Sequence, residues 1–228
     1  MSISNALGRL KRPGRQATHE VVADALREAI TTGRLKARQP LPQAEIAANL
    51  QVSHIPVREA LRQLESEGLV TYQANRGATV SALSTSEIRE IYEIRALLET
   101  GAIRRATPLL PAETLEQAAL VLDQAESADD GATWGNLDME FHTLVYHLDE
   151  RPRLQELITE LLRRVDRYWM SYGLMLKYRA AFDTEHRELL AAVSARDAAR
   201  AESLLAAHLH AACDRLIAEI EKAEGGDA

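Results

Sequence analysis

A single cysteine, Cys213, in a chain of 228 residues excludes an internal disulfide. The fold must hold together without covalent cross-links, and a reducing cytoplasm is the simplest home for it. No apolar run approaches the ~20 residues that a membrane span requires, so no membrane partner is expected. The opening MSISNALGRLKRPGRQ is basic but lacks the apolar core of a secretory signal. Hydrophobic residues at 46% and charged residues at 27% are ordinary for a globular protein, and the length suits one large domain or two small ones.

What is present is a charge asymmetry hidden within the net charge of −7. Residues 1–80 hold 11 Lys+Arg against 7 Asp+Glu, whereas residues 81–228 hold 16 against 27. A basic front and an acidic back fit a nucleic-acid-binding module joined to something else, although a solvated basic terminus would give part of the same signal.

Within the basic part, Val22, Leu26, Ala29 and Ile30 recur at helical spacing from His19 to Thr32, and Gly33 follows as a stop. A second helix is predicted from Gln43 to Leu50, after Pro42. A third starts at Ser53, whose hydroxyl is a good N-cap, with Pro56 tolerated in the first turn, and Gly68 ends it. Val57, Ala60, Leu61 and Leu64 form its inner face, leaving His54, Ile55, Arg58 and Arg62 together on another. Two helices joined by the short turn Gln51-Val52, the second presenting cations, make a helix-turn-helix. Leu69 to Gln73 then alternates like a strand, Ala74-Asn75-Arg76-Gly77 is a turn, and Thr79 to Leu83 returns as a second strand: a β-hairpin wing. His54, Arg58 and Arg62 would meet base edges or phosphates in the major groove, with Ser53, Arg76 and Gly77 near the backbone. For Arg62, a solvated helix face is an equal reading.

The stretch LREAITTGRLKARQPLPQAEIAANLQVSHIPVREALRQLESEGLVTYQANRGATV resembles the winged-helix domain of the GntR-type bacterial transcription regulators. The likeness is carried above all by the recognition-helix segment around SHIPVREALRQLESEGLV and by the wing NRGATV, and spans residues 18–82. It departs at His54, where that family usually has arginine, and at Gln51, where it often has glycine.

The acidic part reads differently. Ser84 and Glu87 stand at capping-box spacing and open a helix, and further helices are predicted near 111–128, 134–149, 152–173, 180–195 and 197–223. No strand pattern interrupts them. The fold class is therefore mainly α: a basic flexible tail (1–17), a winged helix-turn-helix with a β-hairpin wing (18–82), and an antiparallel bundle of about six helices (84–224). On the bundle's inner faces, Asp138 and His142 lie four apart on one helix, His186 shares a stripe with Leu189, Leu190 and Val193, and His208 shares one with Leu204, Leu205, Ala212 and Leu216. Each alone is an ordinary core histidine or an i,i+4 hydrogen bond. Together they are four ionisable groups that are costly to bury unpaired, and a divalent cation would satisfy them at once. Three imidazoles and a carboxylate suit Zn²⁺, Ni²⁺, Mn²⁺ or Fe²⁺, zinc first.

The same region resembles the FCD ligand-binding domain of the FadR subfamily, through EIYEIRALLE, the D-x-x-x-H at Asp138 and His142, EHRELLAAV at 185–193 and the late helix bearing His208. That resemblance implies Asp138, His142, His186 and His208 as metal ligands, and a small carboxylate metabolite as effector. Arg95, on the stripe of Ile91, Tyr92, Leu98 and Glu99, either pairs with Glu99 or helps hold the anionic effector. Trp134, Tyr168, Trp169 and Tyr172 line a pocket or fill the core.

The expected protein is a metabolite-responsive transcription regulator, with repression the expected direction, binding palindromic double-stranded operator DNA as a homodimer, because one winged-helix module buries too little surface for strong specificity. Two other readings stay open: an architectural DNA-binding protein with a structural metal, and a metal-dependent hydrolase. The hydrolase needs a base beside the metal, and Glu140 and Glu185, though next to ligands in sequence, would point elsewhere on their helices.

Overall fold

A computed structural model describes residues 3, 7, 18–73, 77–148, 151–171 and 173–225. The chain divides into two compact units, Met1–Leu83 and Ser84–Ala228.

In the first unit α1 (Thr18–Thr31), α2 (Gln43–Leu50) and α3 (His54–Ser66) enclose a core in which Val22, Leu26, Ile30, Ile46, Val57, Leu61 and Leu64 are fully buried. At ~1.5–3 kcal/mol for each large aliphatic side chain, these residues supply much of the drive for folding. Arg27 on α1 clamps the far end of α3, donating from Nε and Nη2 to the two carboxylate oxygens of Glu67 at 2.8 and 2.6 Å. Gln51 adopts a left-handed conformation (φ 54°), and its backbone N–H closes α2. A side chain in that region costs ~1–2 kcal/mol, which is why glycine suits this turn. Ser53 is the N-cap of α3 by position, but its hydroxyl makes no capping hydrogen bond.

The hairpin pairs β1 (Val70–Gln73) with β2 (Gly77–Val80) in antiparallel register, Val70 opposite Val80 and Gln73 opposite Gly77. The second strand begins two residues before the predicted Thr79 and stops at Val80. Its other edge explains the shift: the Leu41 N–H donates to Ala78 O, Arg38 N–H to Val80 O, and Val80 N–H to Gln39 O, so pairing is concentrated on 78–80.

The second unit holds six helices among its described residues: α4 (Thr85–Ala106), α5 (Ala112–Glu126), α6 (Gly131–Tyr146), α7 (Pro152–Ser171), α8 (Leu174–Ser194) and α9 (Ala198–Gly225). The capping box is formed, with Glu87 N–H donating to Ser84 Oγ and Ser84 N–H to Glu87 Oε2. The third helix of the unit starts at Gly131 rather than near 134, because Asp130 accepts from the N–H groups of Ala132 and Thr133, both at 2.9 Å. That cap admits a glycine into the first turn. The helix predicted at 180–195 starts six residues earlier, the single break being Gly173 at φ 65°. Along its length α4 packs against α9, and α6 lies against α5, α4, α8 and α7.

Candidate metal centre

Four helices bring the three predicted histidines together: His142 from α6, His186 from α8 and His208 from α9, with Arg95 of α4 nearby on the same cavity. One ring nitrogen from each histidine lies within 4.8 Å of the others, and all three side chains are buried. Asp138 Oδ1 stands 3.3 Å from His186 Nε2 and 3.7 Å from His142 Nε2. Helical periodicity explains the assembly, since Asp138, His142 and Val145 occupy one stripe of α6 while His186 and Leu189 occupy one of α8.

The back of each of two rings is tied. Tyr146 donates its hydroxyl proton to Glu99 Oε2 (2.8 Å) and so accepts from His142 Nδ1 (2.9 Å), which leaves His142 Nε2 as the lone pair. His208 Nδ1 donates to Glu185 Oε2 at 2.7 Å, and Arg215 holds the same carboxylate at 2.5 Å. Against desolvation, these two donors keep Glu185 below the usual carboxylate range. The front of the cluster is unanswered: His186 Nε2 is buried with no hydrogen-bond partner. A buried, orphaned nitrogen facing a carboxylate and two other imidazole lone pairs fits a divalent cation of the borderline class.

Electrostatics say the same. Desolvation, then the neighbouring His208, pushes His142 and His186 well below the ordinary imidazole value, so both are neutral. Desolvation, with Asp166 adding to it, raises the Asp138 carboxyl to about 8. Asp138 nevertheless keeps 23% of its side chain accessible, because it borders the cavity. In metal-free protein these shifts have opposite signs. Folded Asp138 holds its proton up to about 8, whereas the unfolded carboxyl releases it near 3.8, so stability falls as pH rises from 6.5 to 8. The two histidines charge near 6.5 only when unfolded, so stability also falls as pH drops below 6.5. Melting curves of chelator-treated protein should show the decline between pH 6.5 and 8, and Asp138→Asn should abolish it; an unchanged decline would place its source elsewhere.

The cavity above the cluster measures about 40 Å³. That holds about three waters at the ~10–15 Å³ each needs. Trp134 and Trp169 line it, whereas Tyr168 is buried off the cavity and Tyr172 lies outside the described residues. Arg95 pairs with Glu99, its Nε donating to Oε1 at 2.7 Å, and the residue also borders the cavity. Burial opposes the Arg95 charge, but Glu99 beside it holds the guanidinium protonated.

Glu185 meets the cluster by a route that its own helix does not show: Oε2 lies 2.7 Å from His208 Nδ1. It does leave the stripe of His186 on α8, but α9 carries the back of His208 to it. Tyr146 and Asp166 were likewise not anticipated; Tyr146 follows His142 by four residues, a spacing that could have revealed it.

On the first unit, Ser53, His54, Arg58 and Arg62 are all exposed on or beside α3, and Arg58 and Arg62 line a concavity with Gln43, Glu65 and Tyr72. Gly77 is exposed at φ 74°, a conformation that glycine adopts without strain. Arg76 lies outside the described residues.

Residues 18–80 match the model of bacterial regulatory proteins of the gntR family, and residues 90–211 match the FCD domain. The nta operon transcriptional regulator of Aminobacter aminovorans is 35% identical over 127 residues, 54% of this chain and 60% of its own length. The chain thus spans about three fifths of that relative. The HTH-type transcriptional regulator McbR of Escherichia coli is 32% identical over 186 residues, 77% of this chain and 82% of that protein. A solved structure of E. coli McbR superposes with a TM-score of 0.69 at 25% identity, covering 90% of this chain and 99% of that one. No helix among the described residues is long and apolar enough to cross a membrane.

Proposed function

Since the chain belongs to the gntR family of bacterial regulatory proteins and carries an FCD domain, we propose that it is a transcription regulator that binds palindromic operator DNA as a homodimer and senses a small carboxylate metabolite. Asp138, His142, His186 and His208 hold one divalent transition metal, zinc first, with nickel, manganese and iron also compatible. The observation that carries this reading is the orphaned His186 Nε2, buried among two other imidazoles whose outer nitrogens are tied back. The metal supplies a fixed positive charge for a carboxylate oxygen. Arg95 provides a second cationic group at the cavity wall, already oriented by Glu99. At the other unit Ser53, His54, Arg58, Arg62, Arg76 and Gly77 form the DNA surface. Repression in the cytoplasm is the expected mode.

Glu185 orients His208, and second-shell carboxylates of this kind are worth ~10–100-fold in metal affinity. Glu185→Gln should weaken metal binding by that factor in a chelator competition, and should lower the melting point of metal-free protein modestly through loss of the Arg215 ion pair. The reading as a whole is tested by gel shift on an operator selected from random duplex by the metal-loaded protein: one of a series of small organic acids should release or tighten the complex. A complex indifferent to every acid, with or without metal, would leave a structural metal as the better account.

A further inference from the structure

Asp166 on α7, half-buried, borders the same cavity, yet among the described residues no hydrogen bond or ion pair holds its carboxylate. Of the cations that act on it, Arg95 is paired with Glu99 at 2.7 Å, and Arg163, one turn back on the same helix, is exposed and forms no ion pair with it within 4.0 Å. An unpaired carboxylate in a desolvated wall is costly and calls for a partner. Arg95 is not that partner. The two influence one another electrostatically, but no ion pair joins them within 4.0 Å.

We propose that Asp166 receives a cationic amine, and that the ligand of this cavity is a small amino acid whose carboxylate faces the metal and Arg95 while its ammonium faces Asp166. The inference rests on the metal reading above and deepens it. Charge balance supports it first. With a divalent cation bound, its two positive charges cancel ionised Asp138 and Asp166, and Arg95 cancels Glu99, so the centre is neutral. A monoanionic acid would leave one uncompensated negative charge in a desolvated site; a zwitterion leaves none. The walls support it next. Trp169, one helical turn beyond Asp166 and held by a 2.9 Å hydrogen bond from its Nε1 to Tyr92 Oη, borders the cavity with aromatic surface of the kind that attracts ammonium groups, while the Tyr92 ring already carries the Arg95 guanidinium 4.8 Å from its centroid. Size sets the scale: space for about three waters, ~30 Å³ of liquid each, matches an amino acid of about five or six non-hydrogen atoms.

The experiment uses the full-length, metal-loaded chain and a panel of matched probes: glycine, L-alanine and β-alanine against glycolate, L-lactate and propionate. Metal content is measured by elemental analysis before and after each addition. One of the amino acids should raise the melting temperature by about 5–10 °C at a hundredfold excess over its Kd, well above its acid counterparts. Asp166→Asn should abolish that preference, keep the metal, and respond at least as strongly to the acids. If an acid outperforms every amino acid in the wild type, the amine receptor is overturned while the carboxylate sensor stands. If the preference for the amino acid persists in Asp166→Asn, the amine is held by the metal and not by Asp166, which also overturns it. A wild-type chain that carries no metal overturns both readings.

Discussion

Prepared without chelator, the wild-type chain is expected to carry about one divalent metal per chain, and His186→Ala and His208→Ala to carry none. Among the described residues His186 Nε2 makes no hydrogen bond, and Asp138 Oδ1, 3.3 Å away, is the other proposed ligand, so the bond expected of this nitrogen is the one to the cation. Removing it leaves a two-histidine, one-carboxylate set in which Asp138, already pushed to about 8 by burial, holds its proton more firmly without the cation. His208→Ala in addition strands Glu185 on Arg215 and removes the ring that Glu185 orients. Loss of a direct ligand should exceed the ~10–100-fold effect of its supporting carboxylate. Elemental analysis reads the result, and circular dichroism distinguishes metal loss from unfolding. A stoichiometric metal in folded His186→Ala, or none in the wild type, would remove the centre from this cavity.

The other large effect concerns the DNA surface. Arg58 is exposed on α3, and its helix is anchored from the opposite side by Val57, Ala60, Leu61 and Leu64, all fully buried. Arg58→Ala should therefore leave the unit folded. A base contact by arginine is worth ~1–3 kcal/mol, and the proposed symmetric dimer would use it twice, so affinity for the selected operator should fall at least ~30-fold. Arg62→Ala, if it removes one phosphate contact, should weaken all sequences alike and flatten the salt dependence slightly. Undiminished operator binding by Arg58→Ala would displace the recognition surface from α3.

The helices of the first unit were readable because periodic apolar positions and the stops at Gly33 and Gly68 carry them, and both glycines do stand at positive φ; the six-helix count of the bundle was readable from apolar periodicity with no strand pattern between the stretches. Boundaries were less readable. Gly173 interrupts the chain for so few residues that α8 begins almost where α7 ends, and a cap by Asp130 conceals Gly131 within a helix. For the centre, Asp138, His142, His186 and His208 were visible as inward positions on three helices. Glu185 and Asp166 were not, because each acts across a helix interface whose rotation a one-dimensional pattern does not contain, whereas Tyr146 stood at readable i,i+4 spacing from His142. Glu185 misled most: its own helix turns it away from His186, and only the approach of α9 gives it a role.

The two tryptophans of the chain, Trp134 and Trp169, both border the cavity, and Trp134 stacks beside His186 with ring centroids 6.2 Å apart. The protein's entire indole emission therefore originates at the walls of one small chamber. A change in charge or solvation there, whether from a proton, an ion or an occupant, reaches the fluorescence without dilution by any distant reporter.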